Sequence, residues 1–110
     1  HKIVCVDDES EITEALSATI EKLGYASLRA SDPAEVEPIL RAHGSSVILV
    51  ISDYDMPGMN GFELRKSLIE EWKDVPFAIL SGHVTREMAL SAVNAKICAF
   101  IEKPFDDADI

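Results

Sequence analysis

The sequence predicts an α/β fold: a five-stranded parallel sheet, doubly wound, with helices on both faces. Three observations carry this. Apolar runs alternate with stripes at helical spacing along the chain, the pattern of right-handed βαβ crossovers. The run Val47-Ile48-Leu49-Val50-Ile51 has no polar interruption, as in a strand buried on both faces. Acidic residues end two of the runs, where the rim of an open α/β sheet binds ligands.

Taken in order, Ile3 to Val6 reads as a short buried strand. Ser10 is a candidate N-cap for a helix whose apolar positions are Ile12, Ala15, Leu16, Ile20 and Leu23, with Gly24 as its stop. Tyr25 to Ala30 is a more polar strand, suited to an edge. Ser31-Asp32-Pro33 opens a second helix with the stripe Val36, Ile39 and Leu40. Pro38 falls inside it and predicts a kink or an irregular stretch. Gly44-Ser45-Ser46 is a turn, and Val47 to Ser52 is the central strand. The Asp55–Gly61 loop precedes a helix running through Phe62, Leu64, Leu68, Ile69 and Trp72, where Trp72 is a helix-face packing residue. Pro76 to Leu80 is a fourth strand, Ser81-Gly82-His83 a loop, and Val84 to about Ala95 an Ala-rich helix. Cys98 to Ile101 is the fifth strand, ending at Glu102-Lys103-Pro104. A fifth helix is expected after Pro104, and Phe105 to Ile110 supplies only its beginning.

The 110 residues are one domain's worth, and 47% hydrophobic content suits a globular core. The chain starts at His1 and stops inside the expected last helix, so it reads as one domain, 1–110, cut from a longer protein. No stretch is apolar over a membrane-spanning length, and no signal-peptide pattern is present. A net charge of −10 argues against nucleic-acid binding and against adhesion to anionic lipid. Cys5 and Cys98 lie in apolar strand contexts and read as buried free thiols of a reducing, cytoplasmic compartment. Without CxxC or paired histidines there is no zinc signal.

The strand ends therefore carry Asp7 and Asp8, Asp53, Ser81 and Lys103 to one rim. Two carboxylates about 4 Å apart repel by on the order of 4 kcal/mol at an effective dielectric of about 20. Either protons stay on, with raised pKa values, or a cation fills the gap. All-oxygen ligands select a hard ion, Mg²⁺ or alternatively Mn²⁺. A lysine and a hydroxyl on the same rim suit a phosphoryl group, and Asp53, central among them, is the natural nucleophile. Each residue alone has a plainer reading. Asp7-Asp8 is a loop cap, Lys103 a solvated charge, Ser81-Gly82 a turn, Phe100 a core aromatic and His83 an exposed side chain. Met56-Pro57-Gly58 shapes the loop and does no chemistry. The set in register is what favours a site.

Four segments together resemble the receiver domain of two-component response regulators. They are Val6-Asp7-Asp8-Glu9, the run Ser52-Asp53-Tyr54-Asp55-Met56-Pro57-Gly58 with Met59-Asn60-Gly61-Phe62-Glu63-Leu64, then Leu80-Ser81-Gly82, and Phe100-Ile101-Glu102-Lys103-Pro104-Phe105. The resemblance covers the whole chain. It implies a flavodoxin-like strand order 2-1-3-4-5 with an incomplete fifth helix. It implies that Asp53 accepts a phosphoryl group from a phosphohistidine on a sensor histidine kinase or phosphotransfer protein. Mg²⁺ would be held by Asp8 and Asp53, by the backbone carbonyl of Asp55 and, through water, by Asp7. Lys103 would pair with Asp53 and then with the phosphoryl group. Ser81 and Phe100 would form the switch, and Gly82 would leave the group accessible. Asp55 and His83 occupy positions that tune phosphoryl lifetime. The domain would catalyse only its own phosphorylation and dephosphorylation, and would act on an unidentified effector domain or output protein. Lys96-Ile97 departs from the family's Gly-Ala pair.

Two other functions compete. A haloacid-dehalogenase-like phosphatase also uses an aspartyl phosphate and a DxD, as in Asp53-Tyr54-Asp55. In that class, however, the DxD lies on the first strand and the extra acids come late. A receiver-like binding module without phosphorylation would have lost an acid, the acceptor or the lysine, and none is lost.

Overall fold

The structure, a computed structural model, describes residues 1–103. Five strands alternate with helices: β1 Lys2–Val6, α1 Ser10–Lys22, β2 Ala26–Ala30, α2 Val36–His43, β3 Val47–Asp53, α3 Gly61–Leu68, β4 Phe77–Ser81, α4 Arg86–Ala95 and β5 Ile97–Glu102. Single 3-10 turns at Pro33–Glu35 and Gly44–Ser46 flank α2. All pairings are parallel, and the sheet order is β2-β1-β3-β4-β5. The expected fold class and strand order are therefore observed. The expected start of a fifth helix lies outside the described residues.

The strands build two cores because successive side chains face opposite ways. Val4, Val6, Val50 and Phe77 face α2 and α3, with Val36, Leu40, Leu64 and Leu68 closing that side. Ile3, Cys5, Ile51, Ala78, Leu80 and Ile101 face the other way, against Leu16 and Ile20 of α1. A third cluster joins Phe62, Ile79, Met88, Ala92 and Ala95 under α4. On the α1 side, Ile48 and Leu49 are only partly buried.

Several local expectations are corrected. Ser10 is the first helical residue, not the N-cap. Glu9 holds the cap position without a side-chain cap bond. The buried face of α1 contains Thr13, Ser17 and Thr19, whereas Ala15 is exposed and Leu23 is 49% exposed. Hydroxyls are tolerated there because they find partners: Thr13 donates to the Ser10 carbonyl at 3.0 Å, and Ser17 accepts from Arg29 Nε at 3.0 Å. Of the two outcomes expected at Pro38, the irregular stretch is observed. A 3-10 turn capped by Asp32, which accepts from Ala34 N–H at 2.8 Å, precedes the α-helix, and Pro38 is the third residue of α2. In the first turn its missing N–H breaks no helical bond.

Helix α3 ends at Leu68, short of Ile69 and Trp72. The partly buried Trp72 packs on the α2/α3 core from the following turn. Arg65 sets that turn, and nothing in the sequence pattern marked it. It is 2% exposed, donates to the carbonyls of Trp72 and Lys73 at 3.0 Å each, and lies over the Phe77 ring at 4.7 Å. Burial lowers its pKa, and two carbonyls and a ring face replace the missing carboxylate. Cys5 is buried as expected, and burial raises its thiol pKa to about 11. Cys98, on the edge strand β5, is exposed rather than buried.

Lys96, at the departure from the family's Gly-Ala pair, ends α4 with φ +56° in the left-handed region. A Cβ there costs roughly 1–2 kcal/mol, part of which a glycine's extra chain entropy offsets. Lys96→Gly is expected to stabilise the fold by about 1 kcal/mol. Urea unfolding checks it: the midpoint should rise with the slope unchanged.

Candidate functional site

Three strands end at one rim, and each continues its ladder by one residue. Asp7 N–H donates to the Ala30 carbonyl at 3.1 Å, Tyr54 N–H to Leu80 at 2.9 Å and Lys103 N–H to Ser81 at 2.7 Å. These bonds fix the backbone from which the site side chains project. Asp7 is 1% exposed, Asp53 6%, and Asp8 is solvent-facing. One carboxylate oxygen from each of the three lies within 4.8 Å of the others. Lys103 Nζ sits 3.0 Å from Asp53 Oδ1 and 3.5 Å from Asp7 Oδ2. The sequence-predicted acids and lysine are therefore brought together.

Asp7 Oδ1 accepts the Glu9 N–H at 2.9 Å, while its buried Oδ2 accepts no hydrogen bond. Burial raises the Asp7 pKa to about 6, the Glu9 bond opposing and the Asp53 charge adding. Burial also raises the Asp53 pKa, against the pull of Lys103 and with help from the charges of Asp8 and Asp55. Burial works to lower the Lys103 pKa, but its bond to Asp53 and the charges of Asp53, Asp7 and Glu9 outweigh this and raise it. Proton retention is thus one relief of the crowding. The other, a cation, has an oxygen-only donor set waiting for it.

The remaining predicted residues lie on β4, on β5 and in the loops after β3 and β4. Ser81 ends β4 and is 6% exposed. Its hydroxyl donates to the His83 carbonyl at 2.9 Å and lies 3.2 Å from the His83 N–H, so it is engaged with its own loop. His83 and Asp55 are exposed, and the charge of Asp55 acts on Asp53. Phe100, half-buried on β5, meets the ring of Phe62 edge-on, with centroids 6.2 Å apart. A shallow depression of about 380 Å³ lined by Asp8, Glu9, Ser10 and Glu11 borders the acids. The groove of about 500 Å³ between Pro33, Pro38, Pro57 and Met59 includes none of the acidic triad.

Sequence reasoning placed the start of α3 within one residue, at Phe62, but missed its cap. Asn60 and Glu63 form a reciprocal capping box, at 2.8 and 2.9 Å. The N-x-x-E spacing was the available signal. At Gly61 an added Cβ would stand 2.6 Å from Ile79 Cδ1 and 2.8 Å from the Asp53 carbonyl oxygen. The helix therefore begins in direct contact with the backbone of the central aspartate.

Comparison with known proteins agrees with this geometry. The profile of the response regulator receiver domain matches residues 3–110. Response regulator protein TmoT of Ectopseudomonas mendocina is 31% identical over 98% of this chain and 48% of its own length. Chemotaxis protein CheY-3 of Vibrio cholerae is 30% identical over 99% of this chain and 85% of its own. The crystal structure of Vibrio cholerae CheY4 superposes with a TM-score of 0.90 at 26% identity, covering 98% of this chain and 90% of that one. The chain spans 17% and 22% of the length of the first two curated relatives it matches.

The raised Asp7 pKa fixes a pH dependence. A carboxyl that binds its proton more tightly when folded stabilises the fold below its unfolded pKa and loses that contribution as pH rises through the folded value. The window runs from the ordinary 3.8 to about 6. Metal-free protein should therefore lose stability across it, by about 3 kcal/mol from this group. Asp7→Asn should flatten that segment of the stability–pH curve and be more stable than the parent at neutral pH, as read by urea midpoints at pH 4 to 7.5.

Proposed function

The chain belongs to the response regulator receiver domain family, and we propose that Asp53 is the residue on which this signalling switch takes its phosphoryl group. The observation that carries this is the placing of Asp53 Oδ1 3.0 Å from Lys103 Nζ, at the end of the central strand, with Asp7 and Asp8 oxygens beside it. A carboxylate is a weak nucleophile. Here it is held at a rim, next to a fixed ammonium that balances the charge brought by a phosphoryl group.

An oxygen of Asp53 attacks the phosphorus of a phosphohistidine. The Asp53 O–P bond forms, the P–N bond breaks, and the imidazole nitrogen leaves with the bonding pair and takes a proton from solvent. Lys103 moves its pairing from the carboxylate to a phosphoryl oxygen. Ser81 exchanges its bond to the His83 carbonyl for one to the phosphoryl group. Phe100 follows into the space behind Ser81, giving the two-state element that phosphorylation biases.

The buried, unbonded Asp7 Oδ2 and the all-oxygen donor set fit a hard divalent cation, Mg²⁺ or Mn²⁺. Asp8 and Asp53 would hold it by side chain, Asp55 by its backbone carbonyl and Asp7 through water. When bound, it supplies positive charge that offsets the carboxylates and the phosphoryl oxygens. Asp7, Asp53 and Lys103 meanwhile set the geometry with their own backbone anchors.

The partner is a sensor histidine kinase or a phosphotransfer protein, and the output is a separate domain or protein. We assign residues 1–110 to one receiver domain that works in the cytoplasm and catalyses only its own phosphorylation and dephosphorylation. Among the described residues no helix is long and apolar enough to cross a membrane. With the acidic pair on the first strand and the DxD on the third, nothing supports the phosphatase alternative.

Incubation with Mg²⁺ and acetyl phosphate should add one phosphoryl group by intact mass, and Asp53→Asn should abolish it. A parent that stays unmodified would leave the non-phosphorylated binding module as the better reading. Asp55 and His83 flank the line of attack on the phosphoryl group. Asp55→Asn, by removing a neighbouring charge, should lengthen the phosphoryl half-life, and His83→Ala should change it, each by about two- to tenfold. Decay of the phosphorylated species by mass checks both, and unchanged half-lives in both would remove these two residues from lifetime control.

A further inference from the structure

Two routes lead from Asp53 toward Phe100. The first runs through Ser81, whose carbonyl accepts the Lys103 N–H. The second runs through α3. The Asp53 carbonyl oxygen abuts Gly61, leaving no room for a Cβ, and Gly61 N–H donates to the Tyr54 carbonyl at 2.9 Å. Phe62 is the next residue. Its ring, 7% exposed, stands edge-on between the rings of Tyr54 and Phe100. The centroids are 5.2 Å apart at 79° on the Tyr54 side and 6.2 Å apart at 63° on the Phe100 side.

Both geometries lie in the attractive edge-to-face range. Phe62 is also the fully packed member of the three. Tyr54 and Phe100 are half-buried, whereas Phe62 is clamped with Ile79, Met88 and Ala92. The capping box of Asn60 and Glu63 fixes the helix turn that carries it. A buried ring packed against two half-buried ones is placed to hold them, and the preceding residue, Gly61, abuts the Asp53 backbone.

We infer that Phe62 is a latch: its ring holds Phe100 in the observed half-buried rotamer, and the Asp53–Gly61 contact couples that hold to the charge state of Asp53. Phe62 is thus a positioning residue of the switch, acting through Phe100 and touching no reacting atom. The inference rests on the reading of Asp53 as phosphoacceptor for its regulatory meaning. The hold itself does not.

The test compares parent with Phe62→Leu and Phe62→Met, which remove the ring and keep most of the volume, and with Tyr54→Leu. Urea unfolding confirms that each is folded. The Phe100 rotamer populations are measured by NMR on protein labelled at phenylalanine, the Phe100 signal being assigned with Phe100→Leu. Each spectrum is taken without ligand and with beryllofluoride and Mg²⁺ as a phosphoryl mimic.

Loss of one edge-to-face pair should raise the fraction of Phe100 outside its observed rotamer by about two- to tenfold in the ligand-free Phe62 variants. Beryllofluoride should bind those variants more tightly by up to the same factor, since linkage is reciprocal. Tyr54→Leu should act in the same direction, and less than additively with Phe62→Leu. A Phe100 population equal to the parent's in folded Phe62 variants would overturn the latch. Failure of the parent to bind beryllofluoride would instead count against Asp53 as acceptor, while the ligand-free comparison would still decide the latch.

Discussion

The rest of the structure depends on one constraint: like charges are held close together at the end of a sheet. Carboxylate oxygens of Asp7, Asp8 and Asp53 approach within 4.8 Å, and Lys103 is the ammonium paired with two of those residues. Left to themselves these groups would separate by side-chain rotation. They do not, because Asp7 and Asp53 are buried at strand ends and Lys103 pairs with both. The repulsion is therefore expressed chemically, as raised carboxyl pKa values and as affinity for positive charge.

A crowded rim of this kind needs a stiff base, and the parallel sheet provides one. Val6 lies beside Ser52, Asp53 beside Leu80, and Leu80 beside Ile101. The strands end within two residues of one another along this register, so their ends converge on one rim. Apolar clusters on the two faces of the sheet resist sliding. The proposed switch residues Ser81 and Phe100 belong to β4 and β5, and His83 to the loop after β4. Ser81 bonds only to its own loop through its hydroxyl, Phe100 is half-buried and His83 is exposed. A stiff acceptor with adaptable neighbours is what a switch requires, since a change of charge at Asp53 can then be relieved only by moving those neighbours.

Much of this was legible from the sequence, for a physical reason. Buried strands have to be apolar, so β1, β3 and β4 show as runs, and a buried acid at the end of such a run stands out. Features failed to show where two side chains must share one place. The hydroxyls of Thr13 and Ser17 look polar and turn inward because they find local partners. Arg65 looks like a surface charge and is buried by two carbonyls and the Phe77 ring. Cys98 sits in an apolar run and is nonetheless exposed, since what packs on a strand, not local composition, decides what is covered. Helix ends also slipped, at Ser10 and after Leu68, since caps depend on which backbone groups other segments satisfy.

By itself the sequence determined the layered α/β plan, the strands that carry acids and lysine, and the chemistry those groups share. Periodicity and residue type act locally, so a one-dimensional reading reaches them. Only the tertiary structure decided how near the groups come, which carboxyl oxygen is left without a donor, and what stands behind them. It placed Gly61 against the Asp53 carbonyl and Phe62 against the rings of Tyr54, just after β3, and of Phe100, on β5. Those distances follow from strand register and helix seating, which are set by contacts between residues far apart in the chain.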